Sequence, residues 1–349
     1  MKNLLRLLVR TQSQRNLSQA KTEKGMTLVE LLVGAIMAFL IITPMLGFVV
    51  DMLNTDRREQ VKSNTEQDLQ AAVDFIAQDL SQAIYIYDGK GITDIKPQLP
   101  PNDISKIPIL VFWKRQRIKD AVPINREVFK NVKPKDCNSN LDKCNDTDVL
   151  SLVAYYQIKD NEATWCQPSG GTCPTRIARY EIRDGVRNPD ATDPTDPYYK
   201  SDNTETILSQ RKDVAFNPEF DLSKPTEKLT FVDKLTDKTS GATKQEVLVN
   251  YIDHSPGPAV QNDECQTALG NPTDQRTAIP IGEATLRIPS PDGVNSFYAC
   301  VDTEKNIARV TIRGNSLRRL QTDANYDANK SAFFPTASVQ VQGLGARGK

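Results

Sequence analysis

Six cysteines, one histidine and a lone carboxylate inside an apolar run are the residues of this chain whose chemistry stands out. The histidine restricts enzymology at once. A Ser-His-Asp or Cys-His nucleophilic site would have to rest on His254, which stands in the proline-rich context DHSPGP. A pair of distant acids that hydrolyses a glycan leaves no local signature, so an exported hydrolase stays as a weaker alternative. The chain otherwise reads as a non-enzyme without a cofactor.

The cysteines fall as CNSNLDKC (Cys137 and Cys144), CQPSGGTC (Cys166 and Cys173) and a distant pair, Cys265 and Cys300. Zinc motifs space their ligands by two to four residues, whereas both short pairs here have six between them, and one histidine completes no ligand set. No metal is expected. Proximity favours two local loops and one longer bridge among the fifteen pairings that six cysteines allow. DANYDANK spaces Asp323, Asn325, Asp327 and Asn329 as alternate oxygen donors, but an EF-hand needs glycine and glutamate where Ala328 and Phe334 stand. WKRQRIK (113–119) reads as a solvated strand end, and GLGARG near the C-terminus as a tail.

The remaining group is Glu30. It lies four residues into the one uninterrupted apolar segment, Met26 to Val50, whose 25 residues match the roughly 20 a helix needs to span hydrocarbon. A carboxylate at mid-membrane carries a penalty of roughly 2.5 to 3.5 kcal/mol, so Glu30 calls for a partner. The preceding residues, 1–25, carry Lys2, Arg6, Arg10, Arg15, Lys21 and Lys24 against Glu23. The positive-inside rule keeps such a leader cytoplasmic and exports the remainder across the cytoplasmic membrane, into the oxidising surroundings that six cysteines suit. Lys plus Arg and Asp plus Glu are both 44, so formal net charge is zero and no nucleic-acid partner is expected.

Several elements must position these groups. Leu69, Val73, Ile76, Leu80 and Ile84 recur at helical spacing, so the apolar helix is expected to continue amphipathically through 51–90, to about Tyr87, with Asp68, Asp74, Gln78, Asp79 and Gln82 mostly on the other side. Pro44 removes one helical hydrogen bond and should kink or loosen the run. Segments 107–113, 149–158, 176–184, 227–232, 246–252, 295–301, 306–314 and 336–343 read as strands. The expectation is an α+β chain in which the long helix packs on one antiparallel sheet, within an exported domain over 91–349.

A basic leader ending at Gly25, then Met26-Thr27-Leu28-Val29-Glu30 and the apolar run, resembles the class III signal of type IV pilins and type II secretion pseudopilins. The resemblance implies a pilin-like fold, cleavage by a prepilin peptidase between Gly25 and Met26, and methylation of the new amine on Met26. Glu30 becomes the fifth mature residue, paired with an amine of a neighbouring subunit as an assembly register. Methionine in place of the usual phenylalanine, and a 25-residue leader, depart from the common pattern. QDLQAAVDFIAQDLSQAIYIYDG resembles the helix of large minor pilins of the PilW and GspJ type. Together with PILVFWK, VAYYQI and FFPTASVQVQG it is similar to cyanobacterial pseudopilins of the hormogonium polysaccharide secretion group, the HpsC-like proteins. Implied partners are the peptidase, other major and minor pilins or pseudopilins, an inner-membrane assembly platform, membrane lipid before assembly, and exported polysaccharide connected with gliding motility. The competing expectation is a membrane-anchored adhesin or glycan-binding protein that never polymerises.

Overall fold

A computed structural model describes residues 27–100, 105–124, 144–199, 212–231, 245–258, 260–288 and 295–345. The chain divides into two compact units, Met1–Arg57 and Arg58–Lys349. Helix α1 runs over Leu28–Ser81 and passes through Pro44 without ending. In the first unit its side chains from Leu28 to Arg57 are all exposed.

The second unit begins with the amphipathic part of α1. Leu69, Ala72, Val73, Ile76 and Leu80 are buried there, as the periodicity predicts. The helix nevertheless stops six residues short of the predicted end. Gln82 N–H closes on the Asp79 carbonyl at 3.2 Å, and Ala83–Ile86 forms strand β1. The alternation Ile84-Tyr85-Ile86-Tyr87 combines β-branched and aromatic residues that suit a pleated ladder better than a helix. Tyr87 N–H extends the pairing by donating to Val111 at 3.0 Å. The next turn is helix α2, Gly89–Ile95, whose N-cap Asp88 accepts from Gly91 N–H at 2.7 Å.

Two antiparallel sheets follow where the sequence suggests one. The first has the order β1-β2-β3-β4-β5, with β2 at Lys106–Pro123, β3 at Cys144–Ile158, β4 at Thr175–Arg183 and β5 at Glu246–Ile252. After β5 come two short helices, α3 at Glu264–Ala268 and α4 at Glu283–Leu286. The second sheet, β6-β7-β8-β9, comprises Arg287–Ile288, Phe297–Asp302, Ile307–Arg313 and Thr336–Gln342. β6 to β9 pair in sequence order as a meander of their own, which meets the end of β5 through the isolated bridge Ile252 to Gly314, and Phe297, Ala299, Val310 and Ile312 join the same apolar core as Phe112, Val153 and Ile76.

The predicted strand at 227–232 is not one among the described residues. Lys228 takes a positive φ of 52°, which interrupts an extended run, and only an isolated bridge, Phe216 to Thr230, forms. Leu229 N–H donates to the Gln98 side chain at 2.9 Å, so this stretch plugs the core instead of extending a ladder. Phe216 and Phe220 from the same region pack on Trp113, the latter stacked at 4.0 Å between centroids.

Helix and second sheet approach closely at Gly314, where a Cβ would stand 2.8 Å from Thr65 Cγ2 and 3.0 Å from a Leu69 methyl. A side chain there would have to displace the Thr65 and Leu69 side chains. The C-terminal stretch read as a tail is tied down in part: Gly343 N–H donates to the Asn306 carbonyl at 2.9 Å, and Asn306 Nδ2 donates to Ala83 O at 2.9 Å.

Candidate functional site

The helix start carries the first candidate site residue that the structure describes. Thr27 N–H and Thr27 Oγ1 both donate to Glu30 Oε2 at 3.1 Å, and Glu30 N–H donates back to Thr27 Oγ1 at 3.3 Å. This is a capping box, in which the carboxylate satisfies groups that the first helical turn leaves without partners. It also sets a negative charge at the positive end of the helix dipole. The intermolecular partner expected for Glu30 leaves out this local one, although a threonine three residues before a glutamate at the edge of an apolar run is its signature. Gly25 and Met26, the expected cleavage and methylation positions, lie outside the described residues.

Beyond the cap, Leu28, Leu32, Ile36, Phe39, Met45 and Phe48 are between 52% and 82% exposed. So many apolar side chains facing outward need lipid or another protein surface to cover them. Pro44 lies within this run, and the preceding Thr43 hydroxyl donates to the Phe39 carbonyl at 2.8 Å.

In the second unit the amphipathic part of α1 is fixed by a buried charge cluster that the helical pattern did not reveal. Asp79, placed on the polar side by sequence, is 7% exposed. Its carboxylate accepts from Lys114 Nζ at 2.9 Å, Arg179 Nε at 2.7 Å and Tyr155 OH at 2.7 Å. Glu181 adds a second acid, 2.6 Å from Arg179 Nη2 and 3.4 Å from Lys114 Nζ. The register explains the convergence: Tyr155 pairs Arg179, Lys114 pairs Ser151 and Val153 pairs Glu181, so the four side chains share the sheet face on which the helix lies. Burial alone would raise the Asp79 pKa, but the hydrogen bond from Arg179 and the charge of Lys114 outweigh it and hold the carboxyl below its usual range. Burial, together with the Asp79 charge, pushes the Tyr155 hydroxyl well up, so it remains a donor. The arrangement orients and holds; it presents no nucleophile.

On the opposite face of the first sheet, Trp113 Nε1 donates to Tyr87 OH at 2.8 Å, and that hydroxyl donates to Pro225 O. WKRQRIK is therefore not uniformly a solvated end. Trp113 and Lys114 are buried on opposite faces, while Arg115, Arg117 and Lys119 are exposed. Nearby, a cavity of about 490 Å³ is lined by Asp148, Asp184, Arg187, Phe220, Asp221 and Leu222 among others. Asp184 is committed within it, accepting from Gly185 N–H and Arg187 Nε, each at 2.8 Å, and from Tyr198 OH at 2.6 Å.

Of the cysteines, Cys166 bonds Cys173 and Cys265 bonds Cys300. Cys144 is disulfide-bonded as well, and Cys137 lies outside the described residues. In DANYDANK, Asp327 accepts from Asn329 N–H at 2.9 Å as the cap of a 3-10 turn. Among the described residues, no group of three or more acidic, cysteine or histidine side chains is placed to hold a metal ion. His254 is buried, and burial lowers its pKa against the attraction of Asp253.

These features define an α+β protein in which, among the described residues, one helix is long and apolar enough to cross a membrane. Comparison with protein-family models, with curated proteins and with solved structures returned no match to this chain.

Proposed function

We propose that this chain is a minor pseudopilin, a structural subunit of a type IV pilus-like or type II secretion-like filament. One observation carries the reading: a helix capped by Thr27 and Glu30 exposes its whole apolar surface from Leu28 to Leu53, while the same helix is built into a disulfide-tied α+β domain from Thr65 onward. Such a surface suits lipid before assembly and neighbouring helices afterwards. Prepilin peptidase cuts after Gly25, Met26 becomes the methylated N-terminus, and Glu30 pairs with an amine in the fibre. A cation beside the carboxylate in a low-dielectric layer offsets much of the desolvation of both. The other partners are pilins or pseudopilins and an inner-membrane assembly platform, and polysaccharide export is the process served.

The test is Glu30→Ala in cells. The variant inserts in the membrane at the wild-type level but is depleted from sheared filaments. Wild-type incorporation would remove the register role. A second reading, a membrane-anchored glycan-binding protein that does not polymerise, is favoured by the cavity beside Phe220, Asp148 and Asp221. It requires that the chain never appear in the filament fraction.

A further inference from the structure

Arg318 lies in the 3-10 turn Leu317–Arg319 that follows β8, and its side chain is completely buried. Among the described residues it makes no ion pair. Its charge is met by backbone carbonyls instead: Nε donates to Thr172 O at 2.9 Å, Nη2 to Pro168 O at 3.0 Å and Gly170 O at 3.1 Å, and Nη1 to Gln321 O at 3.3 Å. Nη2 also lies 3.8 Å from Cys166 Sγ. Three of those four carbonyls belong to one short loop, the one closed by Cys166 and Cys173.

The fit between loop and turn is close. Gly171 has φ of +65°, and a Cβ there would stand 2.1 Å from Thr322 O, so the loop rests on the residues just after Arg318. The loop belongs to the β3–β4 connection of the first sheet, whereas Arg318 belongs to the β8–β9 connection of the second. Arg319, the next residue, pairs with Asp68 on the helix. This turn is therefore one of the places where the helix and connections of both sheets meet.

A buried guanidinium without acceptors is strongly unfavourable, because it carries five N–H donors and cannot shed its charge. An eight-residue segment with two adjacent glycines has many open shapes, and few of them aim three carbonyls at one point. Closing the Cys166–Cys173 bond removes most of those alternatives. The coupling runs both ways: whatever oxidation contributes to Arg318 burial, Arg318 burial contributes to oxidation.

We propose that the Cys166–Cys173 loop is a socket for Arg318 formed by oxidation, so that forming this disulfide and docking the β8–β9 connection are one coupled event. In the chemical step the two thiols pass two electrons to a small disulfide oxidant. One S–S bond forms in the protein, the oxidant's S–S bond breaks, and the oxidant leaves as two thiols carrying the two protons. Cys265–Cys300, which joins α3 to β7, has no part in this socket and serves as an internal reference. The inference does not depend on the filament reading.

The test uses the full-length chain in detergent, equilibrated in glutathione redox buffers, with thiols trapped by N-ethylmaleimide and located by peptide mass spectrometry. Arg318→Met lowers the equilibrium constant of Cys166–Cys173 by about tenfold or more, the size of one lost charge-assisted hydrogen bond, and leaves Cys265–Cys300 unchanged in the same molecules. Reciprocally, Cys166→Ser with Cys173→Ser raises amide exchange across 314–335 by a similar factor. An unchanged Cys166–Cys173 equilibrium, or unchanged exchange in the serine variant, overturns the proposal. Should Arg318→Met lose both disulfides through unfolding, Arg318→Lys decides, since it keeps the charge and loses the fork. A selective shift at Cys166–Cys173 supports the socket, and no selective shift overturns it.

Discussion

Replacing Asp79 by alanine tests how the helix is held to the first sheet. The carboxylate receives hydrogen bonds from Lys114, Arg179 and Tyr155, all within 2.9 Å. Without it, Lys114 and Arg179 stay buried and share Glu181, since the other acid paired with Arg179 among the described residues, Glu246, is 3.9 Å away and 69% exposed. Breaking a buried ion pair from one side costs about 3–5 kcal/mol, and we expect Asp79→Ala to fall in that range. Asp79→Asn keeps the shape and loses the charge, at about 2 kcal/mol or more. Urea unfolding of the detergent-solubilised chain, followed by fluorescence of its two tryptophans, measures both variants, with an unchanged slope showing that stability alone has moved. The native carboxyl has a lowered pKa, so the unfolded state binds its proton first as pH falls. Its contribution is therefore present above roughly pH 4, the ordinary aspartate value, and is lost as pH falls through the lower native pKa. A cost under about 1 kcal/mol for Asp79→Ala would refute the reasoning, because that is the range of an exposed pair.

Three further outcomes follow from packing and burial. Ile76→Ala, at a fully buried position on the helix stripe, is expected to cost about 2–5 kcal/mol in the same urea experiment. Tyr87→Phe leaves Trp113 Nε1 buried without its acceptor, with an expected loss of about 1–3 kcal/mol and a changed tryptophan emission. His254 has a depressed native pKa, so the unfolded chain takes up its proton first, near pH 6.5. Stability should then fall as pH drops from 7 toward 5, and His254→Gln should flatten that part of a melting-temperature profile.

The sequence made some of this legible and hid the rest for identifiable reasons. Leu69, Val73, Ile76 and Leu80 announced a buried helix face because helical periodicity is local. Strands at 246–252 and 336–342 were visible through β-branched alternation, and their observed limits agree closely. β1 was masked because Ile84 continues the helical spacing by chance while its neighbours prefer a ladder. The role of Asp79 rests on partners 35 and 100 residues away, which no window on the helix contains. A finer pattern was nevertheless present: Thr65, Leu69, Ala72, Ile76 and Asp79 step by four and three, which puts the aspartate at the end of a core stripe. The division into two sheets depends on which edges find partners, and spacing alone does not encode that.

Intact-mass and N-terminal peptide analysis of the protein purified from its own membranes tests most directly whether the chain is cut after Gly25. We expect a chain that begins at Met26 and carries one methyl group on its amine, with no peptide from residues 1–25. A chain that retains those residues would contradict the account, because no new amine would then exist for Glu30 to meet.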